Sequence, residues 1–430
     1  MAKAVLIPGK EKRVLGGHPW VFRSDIAQVS GTYEPGDVLD VVSSRGRFLG
    51  RAFYNPKSQI SLRMMTLHDE PVDRNFIFRR VREAVEYRRA FADLHSCRLI
   101  FAESDRLPAL IVDSFGDVLV MQCLALGMER YKQDVTDALV ELLHPAGIYE
   151  RSDVPVRALE GLEQYTGLRY GQVPDRVEMV ENGVHFWVDV KQGQKTGFFL
   201  DQKENRAAIA PFVRDARVLD CFTHTGSFAL HAGHYGAREV TGVDISEYAC
   251  QFATENARLN GLEDRVHFQE ANAFDLLAEQ SRHGEKYDVI ILDPPAFTKT
   301  RAAVASAARG YKEINLRAMK MVREGAIWSP APAHSTFCPR TSWRSSGTLP
   351  GMPTCSCVRW NTAPRAGIIP SSPRRRKPSI SSAAFSSCFT DPAGGTPSGY
   401  PDTFAGSWQW PLPRISVPPG CPCPAPSCPR

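Results

Sequence analysis

From residue 1 to about 70 the chain alternates short apolar runs, "AVLIP", "GDVLDVVSS", "FLGRAFY" and "QISLRMM", punctuated by Gly and Pro. Such runs between turn residues predict a small β-rich module. "RNFIFRRVREAVEYRRAF" then predicts a charged helix, "ALIVDSFGDVLVMQCL" two strands around an Asp/Ser/Gly turn, and "QDVTDALVELL" a second helix. "VENGVHFWVDV" predicts a hairpin turning at Glu181 to Gly183. From Ala216 the rhythm changes. "RVLDCF", "EVTGVDIS", "RVHFQEANAFD" and "YDVIILDPP" read as buried strands, separated by the helical "GSFALHAGHYG" and "EYACQFATENARLNGL". Alternating strand and helix predicts a parallel, doubly wound α/β sheet. The expected organisation is a β-rich domain over 1–72, a central α+β domain over 73–190, an α/β domain over 191–325, and a tail over 326–430.

The periodicity stops at Gly325. Up to that residue the chain carries 42 Lys+Arg against 45 Asp+Glu; beyond it, 10 against 2. The tail also holds 20 of the 32 prolines and 7 of the 11 cysteines, and no glutamate. It is therefore expected to be disordered, leaving "DVIILDPP" as an uncovered apolar edge. Cys97, Cys123, Cys221 and Cys250 precede the break, and four scattered thiols suit a reducing compartment. With no leader-like or membrane-length apolar run, a soluble cytoplasmic protein is expected.

Candidate chemistry collects at the carboxyl ends of the α/β strands, where open α/β sheets bind ligands. The first strand ends at Asp220 and turns through Gly226 into a helix, which brings a ligand close to backbone. The second ends at Asp244, 24 residues later, placed to bind ribose hydroxyls. The third ends in "NAFD", with Asn272 at an adenine edge. The fourth ends in Asp293-Pro294-Pro295-Ala296-Phe297, a stiff loop whose carboxylate and carbonyls can meet an amino-bearing base. Each acid alone could be a helix cap; the ordered set favours a cofactor site. A dinucleotide dehydrogenase is the rival, but its glycine fingerprint is absent. The set fits a nucleobase methyltransferase using S-adenosylmethionine. Two surface features keep two readings each. Trp20 and Phe22 are core aromatics or an RNA-contacting pair, and Arg79, Arg80 and Arg82 track phosphate or form a solvated face.

"GQKTGFFLDQKENR" (Gly193 to Arg206), "VLDCFTHTGSF", "VDIS", "DPPAF" and "RGYKEINLRAMKMV" (Arg309 to Val322) together resemble the RlmI family of large-subunit rRNA cytosine-C5 methyltransferases. "HPWVF" and "GDVLDVV" resemble that family's N-terminal PUA domain, and "ESDRLPALIVDSFGD" its central domain, where the family has glycines at the places of Arg106 and Ala109. The resemblance implies a Rossmann-like class I methyltransferase domain. It implies that S-adenosylmethionine meets Asp220, Phe222, Thr225, Gly226, Asp244, Ile245, Asn272, Ala273 and Asp293. It implies that RNA meets Lys195, Phe199, Asp201, Gln202, Arg206, Asp293, Pro294, Pro295, Phe297 and Trp20. Expected partners are 23S rRNA and a second copy of the chain, with no membrane and no metal. The reaction requires a cysteine thiolate to add at C6 of cytosine.

In the family that cysteine stands on the fifth strand soon after a Gly-Gly pair. Here the chain reads "AIWSPAPAHS", so no catalytic cysteine is intact. A reading frame shifted by one base explains this. Trp328 is encoded only by TGG; shifting the frame from Gly325 accommodates "GYLVSCSCS", a strand followed by the expected nucleophile motif. "GIIPSS" (Gly367 to Ser372) and "PSISS" (Pro378 to Ser382) likewise accommodate the family's "DHPV" and "YLK". "PTCSC" (Pro353 to Cys357), "CPCPAPSC" and "RRRK" (Arg374 to Lys377) then read as accidents of the wrong frame. Two alternatives remain: a guanine-N2 methyltransferase, disfavoured by Ala296 between Pro295 and Phe297, and an RNA-binding remnant without activity.

Overall fold

The structure, a computed structural model, describes residues 2–298, 303–330 and 356–357. The N-terminal runs form β1 (Lys3–Leu6), β2 (Trp20–Val21), β3 (Ile26–Ser30), β4 (Val38–Val42), β5 (Phe48–Tyr54) and β6 (Leu62–Thr66), with a short helix α1 (Glu11–Leu15). They pair in the order β2-β6-β5-β4-β1-β3 around Leu6, Leu39, Val41, Ala52 and Leu62. The charged helix α2 (Arg74–Phe91) is N-capped by Asp73, which accepts from Phe76 N at 2.9 Å. Its buried Phe76, Ile77, Val81 and Val85 share a core with Leu99, Val112 and Leu119. These come from a sheet of β7 (Ser96–Phe101), β8 (Leu110–Phe115), β9 (Val118–Cys123), β10 (Gly147–Ser152) and β11 (Tyr165–Gly171), ordered β11-β10-β9-β8-β7. Helices α3 (Leu126–Arg130), α4 (Lys132–Leu143) and α5 (Val156–Leu159) complete the central unit.

Two expectations for these domains change. Arg79 pairs with Glu70 at 2.6 Å, Arg80 is buried beside Glu83 at 2.9 Å, and Arg82 lies 4.8 Å over the Phe78 ring. Arg79 and Arg80 are thus held by carboxylates, which favours the solvated-face reading for them, while Arg82 is exposed beside its ring. Trp20 is not a free RNA-facing ring. Its indole N–H donates to Glu103 Oε1 at 2.8 Å, and Arg63 bridges Glu103 (3.1 Å) and Glu160 (3.0 Å). Asn55 and Ser58 also donate to Glu160, at 2.9 and 2.6 Å. A buried carboxylate needs such donors, and the outcome is a polar lock between the first two domains.

Arg106 and Ala109 adopt φ of 58° and 61°. The turn thus keeps the left-handed geometry for which glycine is suited, with side chains that resist it.

The expected hairpin is β12 (Val177–Glu181) and β13 (Val184–Val188), closed by Asn182 and Gly183 at φ 51° and 84°. Met179, Phe186 and Val188 pack in one core with Phe115 and Val120 of the central sheet and with Val218, Phe228 and Val240 beyond. The hairpin is thus a seam, and the division expected at 190 runs through a shared core.

After helices α6 (Lys203–Ala208) and α7 (Ala210–Val213) comes the α/β unit: β14 (Arg217–Cys221), α8 (Ser227–His234), β15 (Glu239–Asp244), α9 (Glu247–Leu259), β16 (Val266–Glu270), α10 (Ala273–His283), β17 (Tyr287–Leu292), α11 (Val304–Met321), β18 (Val322–Pro330) and β19 (Ser356–Cys357). The all-parallel sheet runs β16-β15-β14-β17-β18-β19. β16 ends at Glu270, and Ala273 to Asp275, expected on the strand, open α10.

The apolar edge expected on β17 is covered. β18 pairs with it from Tyr287↔Val322 to Leu292↔Pro330, with a register shift between Tyr287 and Val289. Residues 326–330 and 356–357, expected in a disordered tail, are therefore strand. Sheet pairing is made by main-chain N–H and C=O groups, which almost every residue carries whatever its side chain. Pro330, without an N–H, stands where the pairing stops. The remaining tail features, "CPCPAPSC", "RRRK" and most of "PTCSC", lie outside the described residues.

Candidate active site

Asp220 is the penultimate residue of β14, with its side chain fully buried. Oδ2 accepts from Thr223 Oγ1 (2.5 Å) and Ala229 N (3.0 Å), while buried Oδ1 has no partner among the described residues. Burial pushes its pKa up to about 7, with nearby Asp293 and Asp244 adding to the rise. The turn that follows is strained: Phe222, His224 and Gly226 have φ of 66°, 52° and 87°. Gly226 is required for packing as well, since a Cβ there would come within 2.7 Å of the Phe268 ring.

Asp244 ends β15. Its Oδ2 accepts from His224 N at 2.9 Å and its Oδ1 from Ser246 N at 3.0 Å. Each carboxylate oxygen accepts two bonds, so acceptor sites remain for ribose hydroxyls. Ile245 beside it is 70 % exposed, an uncovered apolar side chain at a sheet edge. Asn272 caps α10 by accepting from Phe274 N at 2.9 Å. Its helix-cap role is therefore real, and the amide nitrogen is the part left to face a ligand. Ala273 and Thr225 are buried.

The Asp293 loop leaves β17 with Asp293 N donating to Cys221 O at 3.4 Å. Phe297 stacks on Tyr311 of α11 at 4.3 Å and packs tilted on Phe274 at 5.4 Å. Tyr311 Oη accepts from Phe297 N and donates to Pro295 O, both at 3.3 Å. The "RGYKEINL" motif is thus the clamp of the Asp-Pro-Pro loop, a role not foreseen from its sequence.

The Gly193–Gln202 loop is held by the central sheet. Arg151 of β10 donates to Val190 O (3.1 Å) and Gly193 O (2.9 Å). Thr196 Oγ1 donates to buried Asp113 at 2.7 Å, and Arg98 holds the same carboxylate through two bonds of 2.8 and 3.0 Å. Arg98 and Arg151 carried no motif signal, and Asp113, though inside "ESDRLPALIVDSFGD", was not marked as a site residue; only the fold brings them here. Lys195 and Asp201 are exposed as expected. Arg206 is not available to RNA. It is 1 % exposed, held by Glu181 at 2.5 and 3.0 Å and by Phe199 O at 2.8 Å, and its guanidinium lies 4.9 Å from the Phe198 ring. Gln202 is also buried, accepting from Asn205 at 2.5 Å. α6 turns Arg206 inward onto the hairpin seam.

A separate cleft of about 200 Å³, lined by Asp175, Arg176, Asp189, Lys191, Gln192, Tyr248 and Phe252, contains none of the expected site residues. The thiols of Cys97, Cys123, Cys221 and Cys250 are all buried and pushed up by that burial, Cys97 to about 11. None of them is a poised thiolate.

A PUA-like domain model matches residues 5–67, and an S-adenosylmethionine-dependent methyltransferase model matches residues 167–329. The ribosomal RNA large subunit methyltransferase I of Tolumonas auensis is 43% identical over 325 residues, covering 74% of this chain and 82% of that protein. The chain belongs to the ribosomal RNA large subunit methyltransferase I family. The family member from Aeromonas salmonicida is 42% identical over 328 residues, covering 75% and 83% of the two chains. A SAM-dependent methyltransferase from Streptococcus mutans shares the fold at TM-score 0.63 and 21% identity, over 76% of this chain and 84% of its own. A methyltransferase solved with SAH matches over the same shares at TM-score 0.65 and 21% identity.

Membership makes S-adenosylmethionine the cofactor, and the residues fit it. The unpartnered Asp220 Oδ1, the remaining acceptor capacity of Asp244 and the uncovered Ile245 would hold its polar and adenine ends.

Proposed function

We propose that this family member is built to methylate C5 of a cytosine in large-subunit rRNA, and that the chain as it stands lacks the nucleophile for turnover. The observation that carries the reading is the register of β18. In a parallel pair, Leu292 lies beside residue 330, one position before Asp293. Carrying the one-base restoration through, Gly-Tyr-Leu-Val take positions 326 to 329, so the "SCSCS" motif would begin at 330 and its first cysteine falls at 331, one position past the last pair and level with Asp293 of the Asp-Pro-Pro loop. The chain instead has Pro330 and Ala331. That the methyltransferase model stops matching at residue 329 supports the same reading.

In the frame-restored protein the thiolate adds to C6 of the cytosine, and the ring electrons pass to C5. The bound cofactor supplies an electrophilic sulfonium methyl. A base then removes the C5 proton, and the C6–S bond breaks to return the thiolate. Asp293 and the carbonyls of its loop face the amino edge of the base, while Tyr311 fixes that loop. Asp244 orients the cofactor's ribose. Lys195 and Phe199 form the RNA-side lip.

RNA containing 5-fluorocytosine separates the alternatives, because its C5 fluorine cannot leave as a proton does. The frame-restored protein should give a denaturation-resistant RNA adduct, and the present chain none. Methyl transfer by the present chain would overturn the lost-nucleophile reading. Turnover by the restored protein without an adduct would favour an exocyclic-nitrogen methyltransferase.

A further inference from the structure

Two turns with left-handed residues meet beside the cofactor edge. One holds Phe222, His224 and Gly226 at φ 66°, 52° and 87°; the other holds Lys195 and Gly197 at φ 56° and 123°. Non-glycine residues persist in this region only where the surroundings over-determine them, and they cluster at ligand clamps. Here they bring together a continuous series of contacts. Lys195 Nζ lies 4.3 Å from the centroid of the Phe199 ring. The Phe199 and His224 rings meet edge to face, 5.2 Å apart at 89°. Thr225 Oγ1 lies 3.3 Å from His224 Nδ1, and His224 N donates to Asp244 Oδ2 at 2.9 Å.

His224 therefore has its main chain on the acid assigned to the ribose and its ring on the lip assigned to RNA. Burial lowers its pKa below the usual histidine range, Lys195 and Arg206 lower it further, and Asp244 opposes them. A neutral ring adds no repulsion beside Lys195 and can pack on Phe199.

We infer that His224 is a positioning residue that couples cofactor binding to RNA binding. A ligand engaging Asp244 restrains the 222–226 turn, because the same carboxylate holds His224 N. The restrained ring then fixes Phe199, and Phe199 presents the Lys195 ammonium toward RNA phosphate. This rests on the proposed function in one respect, that Lys195 and Phe199 face RNA. Linkage makes the effect reciprocal: RNA must tighten cofactor binding by the same factor. One edge-to-face aromatic contact supports a coupling of about 2- to 10-fold.

The test needs no turnover, so the full chain serves. Binding of a labelled in vitro transcript of large-subunit rRNA is measured by anisotropy, with and without saturating S-adenosylhomocysteine. The wild type should bind about 2- to 10-fold more tightly with it. The ratio should fall to near one in His224→Ala and in Phe199→Ala, persist in His224→Phe, and not fall further in the double alanine variant. Phe199→Ala lies outside the strained cofactor turn and carries the test where His224→Ala does not fold. Equal affinity of the wild type with and without S-adenosylhomocysteine, or an undiminished ratio in His224→Ala, overturns the coupling and leaves the proposed function standing. Failure of the transcript to bind in either condition overturns both.

Discussion

Replacing Asp220 by asparagine should change how stability depends on pH, in a direction set by its burial. The carboxyl is raised from an ordinary 3.8 to about 7. Between those values the folded chain holds a proton that the unfolded chain has lost, so stability falls as pH rises through that window. The full preference is on the order of 4 kcal/mol. Asparagine matches the protonated carboxyl in shape. It keeps an acceptor for Ala229 N and the Thr223 hydroxyl, and it does not ionise. The variant should therefore match the wild type near pH 4.5 and exceed it by roughly 2–4 kcal/mol near pH 8. Urea titrations followed by circular dichroism across that range give the difference curve. The difference is the proper readout because buried His231, lowered to about 3, contributes the opposite slope: its stabilisation is present above pH 6.5 and is lost as pH falls. Both proteins share that term. Parallel curves, with one constant offset from pH 4.5 to 8, would refute the reasoning.

Arg106→Gly should stabilise the central domain by about 0.5–1 kcal/mol, since it relieves a left-handed arginine at an exposed position while giving up some unfolded-state advantage; a lowered urea midpoint would count against this. Arg206→Ala leaves Glu181 buried without its guanidinium partner and should cost roughly 3–5 kcal/mol, with much of the loss recovered by adding Glu181→Gln; thermal melts of the three variants decide it. Trp20→Phe breaks the bond to Glu103 and should cost about 1–2 kcal/mol while leaving rRNA affinity within twofold; a large drop in affinity would restore Trp20 to the RNA surface.

Much of the α/β unit was legible because its signals are local. The apolar runs leading to Asp220, Asp244 and Asp293 became the parallel strands β14, β15 and β17, and these three acids come at their carboxyl ends. The hairpin turn was legible for the same reason, since Asn182-Gly183 suits φ above zero at both positions. What escaped was set by partners distant in sequence. Arg206 looks like an exposed RNA contact until Glu181, 25 residues away, folds over it. Trp20 looks like a recognition aromatic until Glu103, 83 residues away, takes its N–H. Asp113 and Thr196 have no pattern linking them across 83 residues. Period and composition report burial, but they do not report which charge a buried charge will meet.

The β17–β18 pairing has a consequence for how such a chain behaves in a cell. A strand edge accepts backbone without checking the side-chain code, so β18 extends the sheet although the periodic pattern of the chain stops at Gly325. On the proposed reading, in which the cofactor edge and RNA lip are kept and the nucleophile is lost, the chain would be a competitor of the intact enzyme. It would take up cofactor and rRNA and release both unchanged. The proposed shift of frame would then cost the cell more than one missing enzyme, in proportion to how well β18 still pairs.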